Sequence, residues 1–183
     1  MFDIVISLIT IFLSIIPLVF IWVAVKLTSS GPALYWSRRV GQKDTFFMMP
    51  KFRTMYLETP EVATDKLLYP KQYITPIGFF LRNTSIDEFP QFLSVLSGDM
   101  SIVGPRPALH NQHTLIAKRK ELGINILRPG ITGWAQINGR DNIDQLNKIY
   151  LDHQYLQHQS ILFDFKIIIR TISTVLKSKN VIH

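Results

Sequence analysis

The chain has 183 residues, with 20 lysines and arginines against 13 acidic residues and a formal charge of +7. That is enough for one compact domain with a real core, and too little for two sizeable domains beside a membrane segment. So basic a balance suits anionic lipid headgroups, phosphorylated substrates or nucleic acid, and a strongly apolar N-terminus favours the first two over nucleic acid. The absence of cysteine excludes disulfides and thiolate zinc sites and permits a reducing, cytosol-facing location, while the five histidines, His110, His113, His153, His158 and His183, form no convincing metal cluster.

Ile4 to Val25 is an uncharged apolar run long enough to span a bilayer. Asp3 precedes it in place of a basic segment, no small-residue cleavage site follows, and the first lysine is Lys26, so it does not read as a signal peptide. Pro17 removes a backbone hydrogen bond in mid-run and predicts a kink at Ile16-Pro17. On physical grounds alone the segment reads as a straight or kinked span with the basic body in the cytoplasm. A helix broken at the proline would instead return to the side it entered, with Lys26, Arg38 and Arg39 at the headgroups.

Ser29-Ser30-Gly31-Pro32 punctuates the exit from this run. Ala33 to Val40 then reads as an extended segment ending at Gly41, and Phe46 to Met55 as a second one. Tyr56 to Tyr73 is polar, carries Pro60 and Pro70, and reads as a surface loop. Gly78 to Arg82 leads into a helix predicted over Asp87 to Ser97 and stopped by Gly98, and a longer one is predicted over His110 to Leu122, ending at Gly123. The turn signals Pro129-Gly130 and Asn138-Gly139 enclose a short extended piece. Helices are predicted over Asp144 to Gln157 and over Ile161 to Lys177. In the second, Ile161, Leu162, Phe165, Ile168, Ile169, Ile172, Val175 and Leu176 recur at helical spacing opposite Lys166, Arg170 and Lys177. That pattern serves a helix on a membrane surface as well as one packed on a core.

Two constellations carry chemistry. Asp87-Glu88 is a candidate phosphate-handling carboxylate pair at a helix start, where phosphate is also attracted. The competing reading is a capping box, Ser85-x-x-Glu88, in which both side chains only satisfy backbone donors; Pro90 fits a helix start near Asp87 better than one at Ser85. In Gly104-Pro105-Arg106-Pro107, each residue before a proline is held extended, so the Arg106 guanidinium projects from a stiff turn suited to clamping phosphate. The alternative is a surface turn whose arginine pairs with Asp99. Lys51, Arg53, Arg82, Arg128 and Arg140 each sit beside a turn or element end, from which several cations can converge on a diphosphate. No P-loop or dinucleotide fingerprint is present.

Together, several ordered blocks resemble the monotopic phosphoglycosyl transferases, the bacterial sugar transferase family that begins lipid-linked glycan assembly, over nearly the whole chain. They are the proline-broken apolar helix, Arg39-Val40-Gly41, Lys51-Phe52-Arg53-Thr54-Met55, Thr84 to Gln91, Gly98 to Pro107, and Arg128 to Arg140. The resemblance implies an α/β domain, small and mostly helical with short strands. Residues 1–28 would form a re-entrant membrane helix. Residues 29–183 would form a cytosol-facing catalytic domain, seated on the bacterial inner membrane by amphipathic interfacial helices.

The activity implied is transfer of a phospho-sugar from a UDP-sugar to polyprenyl (undecaprenyl) phosphate with release of UMP, through a covalent intermediate on Asp87. Asp87 matches the nucleophile, and Glu88, with Asp87, the position that helps hold a magnesium ion. Arg82 and Arg106 match phosphate contacts, Arg140 a position near the nucleotide and Asp152 a further acidic site residue; Lys51, Arg53 and Arg128 join them as substrate-binding candidates. Glu61-Val62-Ala63-Thr64 and the helix carrying Leu109-His110-Asn111-Gln112 resemble members acting on N-acetylated, often 6-deoxy, amino sugars. Where members often carry serine before the helix-breaking proline, this chain has Ile16. A non-catalytic basic membrane adaptor and a lipid (pyro)phosphatase are the rival readings, and a homodimer is left open.

Overall fold

A computed structural model describes residues 2–60, 62, 67–139 and 143–177. Arg140, and Glu61, Ala63 and Thr64 of the sugar-type motif, lie outside the described residues. The architecture is mixed and mainly helical. Among the described residues, a long N-terminal helix and six shorter ones surround an antiparallel hairpin and a separate two-stranded parallel ladder.

Helix α1 (Phe2–Thr28) continues through Pro17 and does not end there. A proline removes only one ladder bond, and nearby the Ser14 hydroxyl donates to the Thr10 carbonyl at 2.6 Å. One face of α1 follows the body. At its start the Phe2 ring meets Phe165 edge-on at 5.0 Å, Asp3 Oδ2 accepts a 2.8 Å bond from Ser101 Oγ, and Ile6 packs against the main core. At its end Val25 is fully buried with Ala33, Phe52 and Leu81, with Leu18 and Ile21 against them. These positions recur every three or four residues, as one helical face requires. The other face leaves Phe12, Leu13, Ile16 and Phe20 exposed.

The turn out of α1 is fastened by Arg53. Predicted as a substrate contact, it is instead 4% exposed beneath the turn. Its Nε donates to Pro32 O at 2.6 Å and its Nη2 to Ser29 O at 2.9 Å. Carbonyls at a helix C-terminus lack partners within the helix, and a guanidinium fork is well shaped to supply two donors at once.

Strands β1 (Leu34–Val40) and β2 (Phe46–Phe52) form the hairpin, with Tyr35 opposite Lys51 and Arg39 opposite Phe47. Its tip places Lys43 and Asp44 at φ +53° and +62°, the two central residues of a turn closed by Thr45 N donating to Gln42 O at 3.2 Å. The tip is tied down by Gln42 donating to Ile126 O at 2.7 Å and Asn125 donating to Asp44 at 3.0 Å.

Where the sequence suggested only a lead-in, there is a helix, α2 (Pro76–Thr84). Thr75 accepts from Gly78 N and Pro76 occupies the first turn, a start signal that the reading from Gly78 onwards passed over. Ser85 at φ +56° ends it and redirects the chain. The helix predicted over Asp87–Ser97 is in fact a 3-10 turn, Ile86–Gln91, followed by α3 (Phe92–Leu96). Pro90 lacks the donor an uninterrupted α-helix would need.

Beyond Gly98, β3 (Ser101–Val103) runs parallel to β4 (Gly130–Thr132). Here the backbones meet almost without side chains: a Cβ on Gly104 would strike Arg128 O, one on Gly130 the Gly104 backbone, and one on Gly133 Gly104 O. Helices α4 (His113–Glu121), α5 (Trp134–Ile137), α6 (Gln145–His158) and α7 (Ile161–Lys177) complete the body. Helix α4 starts later than predicted, and Leu109–Gln112 form a turn before it, with the Gln112 side chain accepting from Leu109 N at 2.8 Å. Phe47, Met49, Val95, Met100, Ile102, Val103, Tyr155 and Ile167 make the main core. In α7 most of the predicted stripe faces outward, with Leu162, Ile169 and Ile172 exposed beside Lys166 and Arg170, and the core is met instead through Ile167, which is off that stripe, with Phe163 and Ile168.

Gly104→Ala is expected to cost at least about 3 kcal/mol, because its new methyl meets backbone that cannot swing aside. Gly123→Ala, where a Cβ has nothing within 4 Å and only φ +70° is unfavourable, should lose about 1–2 kcal/mol. Denaturant unfolding in detergent micelles measures both; similar losses would show that the close approach is not constraining.

Candidate active site

The site is centred on Asp87. Ser85's left-handed turn rotates the 3-10 segment against β2, so that Asp87 faces the hairpin and is only 6% exposed. Its Oδ1 is buried and has no hydrogen-bond partner among the described residues. Burial pushes the Asp87 carboxyl up to about 6 and the neighbouring Glu88 charge adds to this, while Lys51, Arg82 and Arg106 pull it back. Lys51 lies on the same inward face of β2 as Phe47 and Met49, one step of the period-two alternation further on. Burial, with Arg39 behind it, pushes the Lys51 ammonium down to about 8, against the pull of Asp87 and Glu88. Five of the predicted site residues, Asp87, Glu88, Lys51, Arg82 and Arg106, are therefore brought into one electrostatic cluster.

Glu88 pairs with Arg106 at 2.9 Å, with side chains 23% and 48% exposed. A pair this accessible is worth at most about 1 kcal/mol, so either partner can exchange it for an incoming phosphate or cation. The capping-box alternative is overturned. Ser85 lies in the left-handed region, where it ends α2 and makes no side-chain cap bond. The Asp99 alternative for Arg106 is overturned too, since Asp99 accepts from Ser97 Oγ at 2.6 Å.

The stiff turn has the predicted form: Gly104, Pro105 and Pro107 are buried and Arg106 alone is exposed. Gly104 N donates to Thr132 O and Gly130 N to Pro105 O, both at 2.9 Å. Two further donors are guanidiniums, Arg119 Nη1 to Arg106 O at 2.8 Å and Arg39 Nη1 to Pro107 O at 3.1 Å.

Arg128 and Asp152 are not part of the cluster. Arg128 has an exposed side chain, and it is its carbonyl that backs onto Gly104. Asp152 is 1% exposed and bound to Arg119 by bonds of 2.6 and 3.1 Å to one carboxylate oxygen. Neither is among the charges acting on Asp87. An acidic residue on the buried stripe of a helix needs a cationic partner there, and Arg119 supplies it to Asp152.

Two contributors escaped the sequence reading. Arg39 was visible as part of a motif, and its place on the inward strand face was a usable signal. Arg119 hides within Lys118-Arg119-Lys120, a run that reads as solvated. The signal was its helical register with Leu115 and Ile116, which face the core.

The donor chemistry fits magnesium. Asp87 and Glu88 offer adjacent hard oxygens, one of them buried and unpartnered. No group of three or more His, Cys, Asp or Glu exists among the described residues. Two carboxylates, with water and substrate oxygens, suit Mg²⁺ and would not close a structural zinc site.

The sign of the Asp87 perturbation gives a test. Below about pH 4 the carboxyl is neutral folded and unfolded, and no penalty applies. As pH rises through the folded value of about 6, ionisation of the buried group removes about 3 kcal/mol of stability. Asp87→Asn should therefore stabilise the magnesium-free protein by up to about that amount at pH 8 and by little at pH 4. Unfolding measured at both pH values in EDTA checks this, and an equal effect at both would contradict the burial of the charge.

Residues 1–178 match the bacterial sugar transferase family. The UDP-glucose:undecaprenyl-phosphate glucose-1-phosphate transferase of Escherichia coli is 38% identical over 156 residues, covering 81% of this chain and 34% of the relative. The undecaprenyl-phosphate galactose phosphotransferase of Salmonella typhimurium is 32% identical over 191 residues, covering 96% and 40%. The chain thus spans well under half the length of these two relatives. It matches more of the uncharacterized sugar transferase EpsL of Bacillus subtilis, at 40% identity over 157 residues, 86% of this chain and 76% of that one. With a family match over almost its whole length and the paired carboxylates of that match set among converging cations, the chain belongs to the bacterial sugar transferases.

Proposed function

We propose that the protein transfers a sugar 1-phosphate from a UDP-sugar to polyprenyl phosphate, through a covalent intermediate on Asp87, at a membrane surface facing the cytosol. The observation that carries this is the buried Asp87 carboxylate with an unpartnered oxygen, surrounded by Lys51, Arg82 and Arg106. A desolvated carboxylate is a better nucleophile than a hydrated one, and the cations that allow it to ionise also neutralise an incoming diphosphate.

Asp87 attacks the sugar-proximal phosphorus, and the bond from that phosphorus to the bridging oxygen breaks. UMP leaves with the electron pair, and the sugar phosphate stays on Asp87 as an acyl phosphate. A phosphate oxygen of the polyprenyl phosphate then attacks the same phosphorus and releases the Asp87 carboxylate, giving the lipid-linked diphosphosugar. Arg106, freed from its exposed pair with Glu88, and Arg82 hold the phosphoryl oxygens. Lys51 balances charge between the two carboxylates. Asp87 and Glu88 would hold magnesium, which when bound supplies charge neutralisation on the diphosphate.

The two docked ends of α1 support a membrane helix that does not cross the bilayer, as a re-entrant helix would not, although α1 is unbroken at Pro17. A span would separate Asp3 and Val25 by the hydrocarbon core, about 30 Å thick, yet both pack on the same body. The exposed apolar face of α1 and that of α7, joined where Phe2 meets Phe165, would then lie in the membrane with Lys166 and Arg170 at the headgroups. Single cysteines at positions 1 and 28, in a chain with no native cysteine, should both label from the same side of sealed vesicles; labelling from opposite sides would overturn the re-entrant reading.

Two of the relatives are named for glucose and galactose 1-phosphate transfer, whereas the sugar-type motif resembles members acting on N-acetylated, 6-deoxy amino sugars. The donor panel therefore spans both. Protein mixed with magnesium and each UDP-sugar, without lipid acceptor, should gain the mass of one sugar phosphate, and Asp87→Asn should gain none. Folded protein that forms no adduct across the panel would overturn the covalent mechanism, and release of inorganic phosphate without lipid-linked sugar would instead mark a phosphatase.

A further inference from the structure

We propose that Arg119, locked in place by Asp152, is a positioning residue that sets the aim of Arg106; this rests on the transfer reading above. An arginine before a proline is confined to extended conformations but still ranges over roughly 40° in each torsion. Over the length of an arginine side chain that freedom moves the guanidinium by several ångströms, and a misplacement of about 1 Å can cost about 100-fold in rate. The orientation of the Arg106 carbonyl reports one of these torsions directly, and Arg119 Nη1 holds that carbonyl at 2.8 Å. The next carbonyl, Pro107 O, is held at 3.1 Å by Arg39. The turn that presents Arg106 is thus gripped from behind at two successive peptides.

Arg119 is equipped for this because its own orientation is fixed. Its Nε and Nη2 both reach Asp152 Oδ2, at 3.1 and 2.6 Å, and the planar fork then leaves Nη1 pointing at Arg106 O. The two side chains are 13% and 2% exposed, so the Asp152 bonds that fix the guanidinium are largely shielded from water, while its bond to Arg106 O lies at the surface. Stability alone does not account for such a pair, since apolar residues of similar volume hold two helices together at least as well. Arg119 is paired to Asp152 and bonded to the Arg106 carbonyl, so its route to the site runs through the Arg106 backbone.

The test is a double-mutant cycle on full-length protein in nanodiscs, measuring kcat/KM for lipid-linked sugar formation. Arg119→Gln should lose about 10- to 100-fold in the wild-type background. In an Arg106→Lys background, which has no guanidinium fork left to aim, it should lose less than about twofold. Losses that multiply would assign the pair a merely structural role and overturn the proposal. Should Arg119→Gln show no cooperative unfolding transition, Asp152→Asn runs the same cycle, and equal losses in both backgrounds overturn the proposal equally. Hydrogen exchange gives an answer independent of turnover. Arg119→Gln should speed exchange in a peptide covering residues 104–112 by about tenfold or more and leave residues 86–97 unchanged; unaltered exchange at 104–112 overturns the positioning role. Absence of turnover in wild-type protein would instead count against the transfer reading alone.

Discussion

A carboxylate taken out of water with one oxygen unpartnered is the constraint around which this molecule is arranged. Asp87 is held in that state, and a buried charge is tolerated only when opposite charges approach it. Lys51 comes from the hairpin, Arg82 from the end of α2, and Arg106 from the turn after β3. No two of these cations share an element, so the hairpin, α2 and the Gly104–Pro107 turn must all be in register before Asp87 can ionise. On the proposed transfer reaction, the same arrangement that makes burial of Asp87 bearable would prepare the cluster for a diphosphate, which would bring negative charge to the cations.

Rigidity behind the cluster has two sources of different kinds. One is the near contact of backbones at Gly104, Gly130 and Gly133, where the missing side chains let two segments approach more closely than any Cβ permits. The other is electrostatic: two guanidiniums, from α4 and β1, bind the carbonyls of Arg106 and Pro107. Prolines limit the torsions of the turn, glycines let it seat, and the arginines choose its orientation. The exposed Arg106 side chain is thereby presented on backbone that is itself almost wholly buried.

Helix α1 joins this body to its surroundings. Its inner face continues both cores, through Ile6 at one end and Val25 at the other, while its outer face leaves Phe12, Leu13, Ile16 and Phe20 without protein neighbours to bury them. The stripe on α7 adjoins the start of that face through the Phe2–Phe165 contact. Apolar surface of this extent, bordered by Lys166 and Arg170, is expensive in water and natural at a lipid interface. The carboxylate cluster is built on elements packed against the same helix.

What the sequence by itself determined was whatever depends on local chemistry. The apolar run, the strand alternation that turns Lys51 inward with Phe47 and Met49, the stiff Gly104–Pro107 turn with its protruding arginine, and the α6 and α7 helices all follow from near neighbours in the chain. The ordered motifs were also enough to point to the family. Tertiary structure alone decided which of many similar charges do which work. Arg53 and Asp152 looked like site residues and turned out to satisfy a helix end and a buried arginine, whereas Arg119, one of three consecutive cations, was drawn inward. Capping by Ser85 was plausible from spacing but depended on a left-handed backbone that spacing does not reveal. The physical reason is common to these cases: charge is a long-range property whose meaning is set by burial and by partners distant in sequence, and neither exists until the chain has folded.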